Sequence, residues 1–175
     1  METRIKILKI NVSAMFLAIG LILPFLTGQI QTLGHMLSPM HIPVFICAFV
    51  CGWKYALVVG FSLPLLRSFI FGMPVLYPGA LAMSFELAAY GLIAGVCYNI
   101  FRKVFKNNFL KIYPSLIISM IGGRIIWGVV RYLLTLIDHT LMFNLETFIS
   151  GAILTVWPGM ILHLIIVPLL VIILE

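Results

Sequence analysis

Long apolar runs broken by short polar or Gly/Pro-containing links dominate the chain, and their lengths predict six membrane-crossing helices. The runs extend over about Leu8–Leu26, His41–Gly52, Tyr55–Phe71, Gly79–Ile100, Ile112–Ile137 and Thr147–Leu174. A helix needs about 20 apolar residues to cross a hydrocarbon core, so the second run is short and must borrow from the uncharged link Thr27–Met40 before it. Pro64 is expected to interrupt the third span, and Pro158-Gly159 and Pro168 the sixth. Trp53 and Lys54 make a tight turn between the second and third spans. The segment Gly72–Pro78 links the third and fourth, a basic loop Phe101–Lys111 the fourth and fifth, and a mildly acidic loop Asp138–Glu146 the fifth and sixth.

Composition strengthens this reading. The 175 residues are 63% hydrophobic and 9% charged, against about 25% charged in an average soluble domain. So few charges cannot cover a water-exposed surface, and the expectation is a single all-α integral membrane domain over residues 1–175 with no nucleic-acid partner. The basic, then apolar, start could be read as a secretory leader. The run is long enough to span and no convincing cleavage site closes it, so it reads as the first permanent helix. Cys47, Cys51 and Cys97 all lie in apolar runs; three is an odd number and none forms a C-x-x-C pair, so they read as buried thiols.

Charge fixes the expected orientation. With the N-terminus inside, Arg4, Lys6, Lys9, Lys54, Arg102, Lys103, Lys106 and Lys111 fall on the cytoplasmic side, and the external loops hold no Lys or Arg. Both termini are therefore expected in the cytoplasm of a multi-pass plasma-membrane protein.

The remaining charges carry the candidate chemistry. Arg67, Glu86, Arg124 and Arg131 lie within spans, where an ionisable group costs roughly 2.5–3.5 kcal/mol on insertion scales and marks a candidate functional site. Glu86 is expected to pair with Arg67 across the short Gly72–Pro78 link. On the fifth span Arg124, Trp127, Gly128 and Arg131 share one stripe, and Trp157 reaches a comparable depth on the sixth. Three arginines against one glutamate leave positive charge to be met by water or an anion. A guanidinium fork at Arg131 suits a carboxylate, with Trp127 and Trp157 as apolar walls. The alternative for Arg131 is pairing with Asp138 or reaching the headgroups. His41, flanking the first external loop, joins this candidate substrate-binding set. His163, inside the last span, reads as hydrogen-bonded packing.

There is no phosphate-binding loop, dinucleotide fingerprint, H-E-x-x-H motif or paired-carboxylate motif. No catalytic residue, metal ligand or cofactor is expected, and the chain supplies no nucleotide hydrolysis of its own. Ala14-x-x-x-Ala18 places two small residues on one face of the first span, as close helix docking requires; the alternative is packing inside the bundle.

Taken together, the six spans, the Ala14-x-x-x-Ala18 pattern, the long first external loop and the run MLSPMHIPVFICAFVCGWKYALVVGFSLPLLRSFIFGMP resemble the substrate-binding S components of energy-coupling-factor (ECF) vitamin transporters. The Met36–Pro74 run is similar to the branch that includes pantothenate transporters. The resemblance implies capture of a vitamin from outside by a small helical bundle. It also implies docking on a transmembrane coupling subunit driven by two ATPase subunits, with Ala14 and Ala18 as the coupling contact. Folate, pyridoxine or a hydroxymethylpyrimidine are the other substrates weighed. An intramembrane enzyme or a proton-coupled carrier using Glu86 are the readings from other classes.

Overall fold

The structure, a computed structural model, describes residues 2–27, 36–138 and 143–174. The expectation that the second span borrows from the Thr27–Met40 link, and part of the expected loop Asp138–Glu146, fall largely outside the described residues. The described chain is helical: α1 (Glu2–Ile22), α2 (His41–Val50), α3 (Trp53–Phe71), α4 (Leu81–Val104), α5 (Asn108–Ile137), α6 (Leu145–Ile149) and α7 (Trp157–Leu174). A 3-10 turn over Leu23–Thr27 follows α1, and π turns over Leu76–Ala80 and Ser150–Leu154 precede α4 and follow α6.

Among the described residues, five helical stretches are long and apolar enough to cross a membrane: Glu2–Leu26, Trp53–Phe71, Leu76–Val104, Asn108–Ile137 and Leu145–Leu174. The second predicted span is different in kind. At about 1.5 Å per residue, α2 rises only about 15 Å, half the hydrocarbon thickness. Its residues His41 to Phe49 are all buried, because it is packed on by α1, α3, α4 and α7. A helix hydrophobic all round belongs in an interior, and Leu63, Leu87 and Leu116 from the neighbouring helices complete the core around it. The periphery carries exposed Ile5, Phe69, Ile118, Ile165 and Ile173, a surface suited to lipid rather than water.

The breaks expected at Pro64 and Pro168 are absent, and the one expected at Pro158-Gly159 is displaced. The chain stays helical through Pro64, whose missing N–H costs one hydrogen bond in a helix already clamped on both sides. In the last span the turn is at Thr155 and Val156; Pro158 sits in the first turn of α7, where no intrahelical donor is needed. The tight turn before α3 centres on Gly52, whose φ of 101° lies in the left-handed region.

A seam of small residues sets the register of α3 against α4. A Cβ on Gly60 would overlap the Leu87 carbonyl, one on Gly91 would sit 2.6 Å from the Ala56 backbone, and one on Gly95 2.7 Å from Trp53 Cα. Glycine every four residues lets two backbones approach this closely. Because Gly60 is level with Leu87, Arg67 is level with Ala80, which leaves Glu86 about 9 Å further down the pair.

Candidate functional site

The groups that meet inside the bundle come from α2, α4, α5 and α7. Glu86 is 2% exposed, and its Oε1 accepts from Arg124 Nη1 at 2.8 Å and from the Tyr90 hydroxyl at 2.8 Å. His41 Nε2 lies 3.7 Å from the same oxygen. Tyr90 is one helical turn below Glu86 on α4, and its ring sits against Gly123, where no Cβ would fit. That glycine brings α5 close enough for Arg124, the next residue, to reach the carboxylate.

The expected Arg67–Glu86 pair is not formed. The glycine seam holds Arg67 too high on α3, and its guanidinium turns to α1 instead. Nη1 donates to the Leu21 carbonyl at 2.8 Å, in the last turn of α1, where carbonyls lack an intrahelical partner. The cation lies over the Phe25 and Phe71 rings, 5.3 and 5.5 Å from their centroids. Arg67 is 6% exposed and caps a helix end, where the macrodipole favours positive charge.

The first turn of α2 and the middle of α7 complete the cluster. Ser38, with φ 44°, presents its carbonyl to both His41 Nδ1 at 3.0 Å and His163 Nε2 at 3.2 Å. The two imidazoles stack with centroids 5.6 Å apart; Tyr90 and Phe45 pack on their edges. His163 is thus hydrogen-bonded packing, as expected, but packing in the wall of the cluster. Two buried side-chain nitrogens of the cluster lack a hydrogen-bond partner, His41 Nε2 and Arg124 Nε. Because His41 Nδ1 donates to the Ser38 carbonyl, Nε2 is the acceptor nitrogen of the neutral ring, whereas Arg124 Nε is a donor. Buried polar atoms without partners are uncommon.

Arg131 stands two turns further along α5, about 10 Å from Arg124 along the axis. Its guanidinium lies 6.0 Å from the Trp127 ring centroid and 5.8 Å from that of Phe143, and it makes no ion pair among the described residues. Phe148 stacks with Trp127 and abuts Gly128, so α6 covers this part of the α5 stripe. Trp157, by contrast, is 56% exposed at the start of α7 and faces outward, so Phe143 takes the walling part expected of it.

Tyr90 and the Ser38 carbonyl were not singled out in the sequence, and His163 was read there only as packing and not as part of the site. Glu86-x-x-x-Tyr90 carries an i,i+4 signal that could have found the tyrosine; no local pattern points to the other two. Among the described residues no group of three His, Cys, Asp or Glu could hold a metal.

Ala14 and Ala18 are exposed, and the face of α1 turned to the bundle carries Ser13, Phe16 and Gly20. Packing within the bundle therefore does not account for the pair. The stripe looks outward.

Comparison with protein families matches residues 8–174 to the ECF transporter, substrate-specific component. No curated protein and no solved structure matches the chain. The family match covers nearly the whole sequence, including all four helices that build the buried cluster, and this chain belongs to the ECF transporter substrate-specific component family.

Proposed function

We propose that this subunit captures a small carboxylate-bearing vitamin, with pantothenate as the representative ligand. Capture takes place on the side of the plasma membrane away from the basic loops. The family supplies the general role, substrate binding for an ECF importer with a transmembrane coupling subunit and ATPase partners. The observation that carries the finer reading is Arg131. Glu86 is taken by Arg124 and Arg67 by a helix end, which leaves one half-buried span guanidinium, Arg131, with aromatic neighbours and no carboxylate partner among the described residues. A guanidinium between rings presents its N–H edge for two charge-assisted hydrogen bonds to a ligand carboxylate. Deeper in the bundle, the unpartnered Arg124 Nε supplies a donor for a ligand oxygen, and His41 Nε2 supplies an acceptor for a ligand hydroxyl or amide N–H.

Titration of the purified protein with pantothenate and with its uncharged alcohol analogue tests this. Wild type should prefer the acid by about tenfold or more, the scale of a charge-assisted pair, and Arg131→Gln should remove the preference. Equal affinity for acid and alcohol in both proteins would discard the carboxylate assignment. A specific observation favours a second reading, because the orphaned Arg124 Nε donor and His41 Nε2 acceptor also suit a neutral heteroaromatic ring such as a hydroxymethylpyrimidine or pyridoxine. Binding of such a ring, insensitive to Arg131→Gln and lost on His41→Ala, would establish it.

The orientation belongs to the same proposal. The basic bias supports cytoplasmic termini, and Asn107 and Asn144 are both exposed at opposite ends of α5 and its following link. In a cysteine-free background, cysteine at Asn144 should label from outside with an impermeant reagent and cysteine at Asn107 should not. The reverse pattern would place Arg131 on the cytoplasmic side and end the capture model.

A further inference from the structure

The end of the bundle opposite Arg131 has a recess of its own. Three cations from three helices, Lys9 of α1, Lys54 of α3 and Arg102 of α4, line one cavity of about 250 Å³ beneath the C-terminus of α2. Trp53, Tyr55 and Asn99 line it too. No carboxylate lines it, and none of the three cations makes an ion pair among the described residues.

A helix-capping role explains only part of this charge. The C-terminal carbonyls of α2 present the equivalent of roughly half a negative charge, against three positive ones. Among the described residues the acid of α1, Glu2, is seven residues, about 10 Å, from Lys9 along the helix. The recess is smaller than the roughly 300–1,000 Å³ of pockets for drug-sized ligands, so it suits a compact anionic group. Its rim is interfacial in character. Trp53 and Tyr55 are half-buried aromatics of the kind found at headgroup level, and the Lys54 ammonium lies 5.4 Å from the Trp53 ring centroid.

We propose that this recess is an anion site that seats the phosphate of an acidic phospholipid headgroup. Lys9, Lys54 and Arg102 would act as the charge clamp and the Asn99 amide as a hydrogen-bond donor. The geometry distinguishes it from the general basic bias of the surface, since Lys103, Lys106 and Lys111 carry the same charge but do not line the cavity. It is separate from the vitamin site, which lies beyond the N-terminus of α2.

Native mass spectrometry of the full chain in non-ionic detergent tests the site, with phosphatidylglycerol, phosphatidylcholine and inorganic phosphate as probes. Wild type should retain phosphatidylglycerol over phosphatidylcholine. The double variant Lys54→Gln/Arg102→Gln should lose that adduct by about tenfold or more, given the contribution of each basic group at a membrane surface. Lys103→Gln/Lys106→Gln removes the same charge outside the cavity and should leave the adduct unchanged. Displacement of the lipid by millimolar inorganic phosphate would assign the anion site to a soluble phosphate compound; retention would assign it to the lipid. Equal loss in both double variants, or no preference for phosphatidylglycerol, would overturn the proposal. Lys54 is exposed, so the single variant Lys54→Gln, read beside a thermal melt, should lose the adduct by about fivefold if the double variant folds poorly.

Discussion

Glu86→Gln is expected to lower the unfolding free energy of the detergent-solubilised subunit by about 3–5 kcal/mol, the usual cost of removing one partner from a buried ion pair. The change leaves the Arg124 guanidinium inside the bundle with Nε already unpartnered and its carboxylate gone. It also exchanges a charge-assisted bond from the Tyr90 hydroxyl for a neutral one. Arg124→Met should cost a similar amount by stranding the carboxylate. The double variant Glu86→Gln/Arg124→Met should cost much less than the sum, with a coupling energy of about 1–3 kcal/mol. Arg67→Met provides the contrast, because Arg67 is bonded to the Leu21 carbonyl and level with Ala80. Its effect should add to that of Glu86→Gln with coupling near zero. Thermal melts of the five proteins and wild type measure this directly. Coupling of Glu86 to Arg67, with none to Arg124, would refute the buried cluster as drawn.

That contrast also marks where the sequence stops being readable. The membrane class and the three middle spans follow from hydropathy alone, since α3, α4 and α5 begin or end within a few residues of the apolar runs. The length of His41–Gly52 already signalled an unusual second span. Its enclosure by four other helices did not show, because an apolar run carries no information about whether lipid or protein surrounds it. The identity of the Glu86 partner was hidden for a different reason. Counting residues from the Gly72–Pro78 link treats α3 and α4 as starting level, whereas the π turn at Leu76–Ala80 extends α4 upward and the Gly60, Gly91 and Gly95 seam fixes the offset. Arg124 then inherits the carboxylate through Gly123, a residue whose only contribution is to let the Tyr90 ring in. Likewise His41 and His163 are 122 positions apart in sequence, and they meet by stacking and through a shared Ser38 carbonyl held at positive φ. Contacts of that range leave no periodic trace.

The second large effect should appear in transport rather than in stability. Ala14→Trp and Ala18→Trp are each expected to reduce uptake by the assembled importer to near background, while the isolated subunit binds its ligand as wild type does. The pair lies on the exposed side of α1, away from Ser13, Phe16 and Gly20, so an indole there meets lipid in the free subunit and displaces no core atom. A partner helix that relies on small residues for close backbone approach would instead be pushed outward by the bulk of the ring. Lipid offers little hydrophobic drive for helix association, so packing lost at this face has no other large term to offset it. The neighbouring Met15 and Ile19 are also exposed but are already large; Met15→Trp should therefore disturb uptake far less than Ala14→Trp and serves as the control for bulk alone. Pull-down of the coupling and ATPase subunits on the tagged subunit should follow the same order, with Ala14→Trp and Ala18→Trp failing to retain them. Normal uptake by both tryptophan variants would remove the alanine stripe from the coupling interface. Loss of ligand binding in parallel with uptake would place it instead in the support of the site itself.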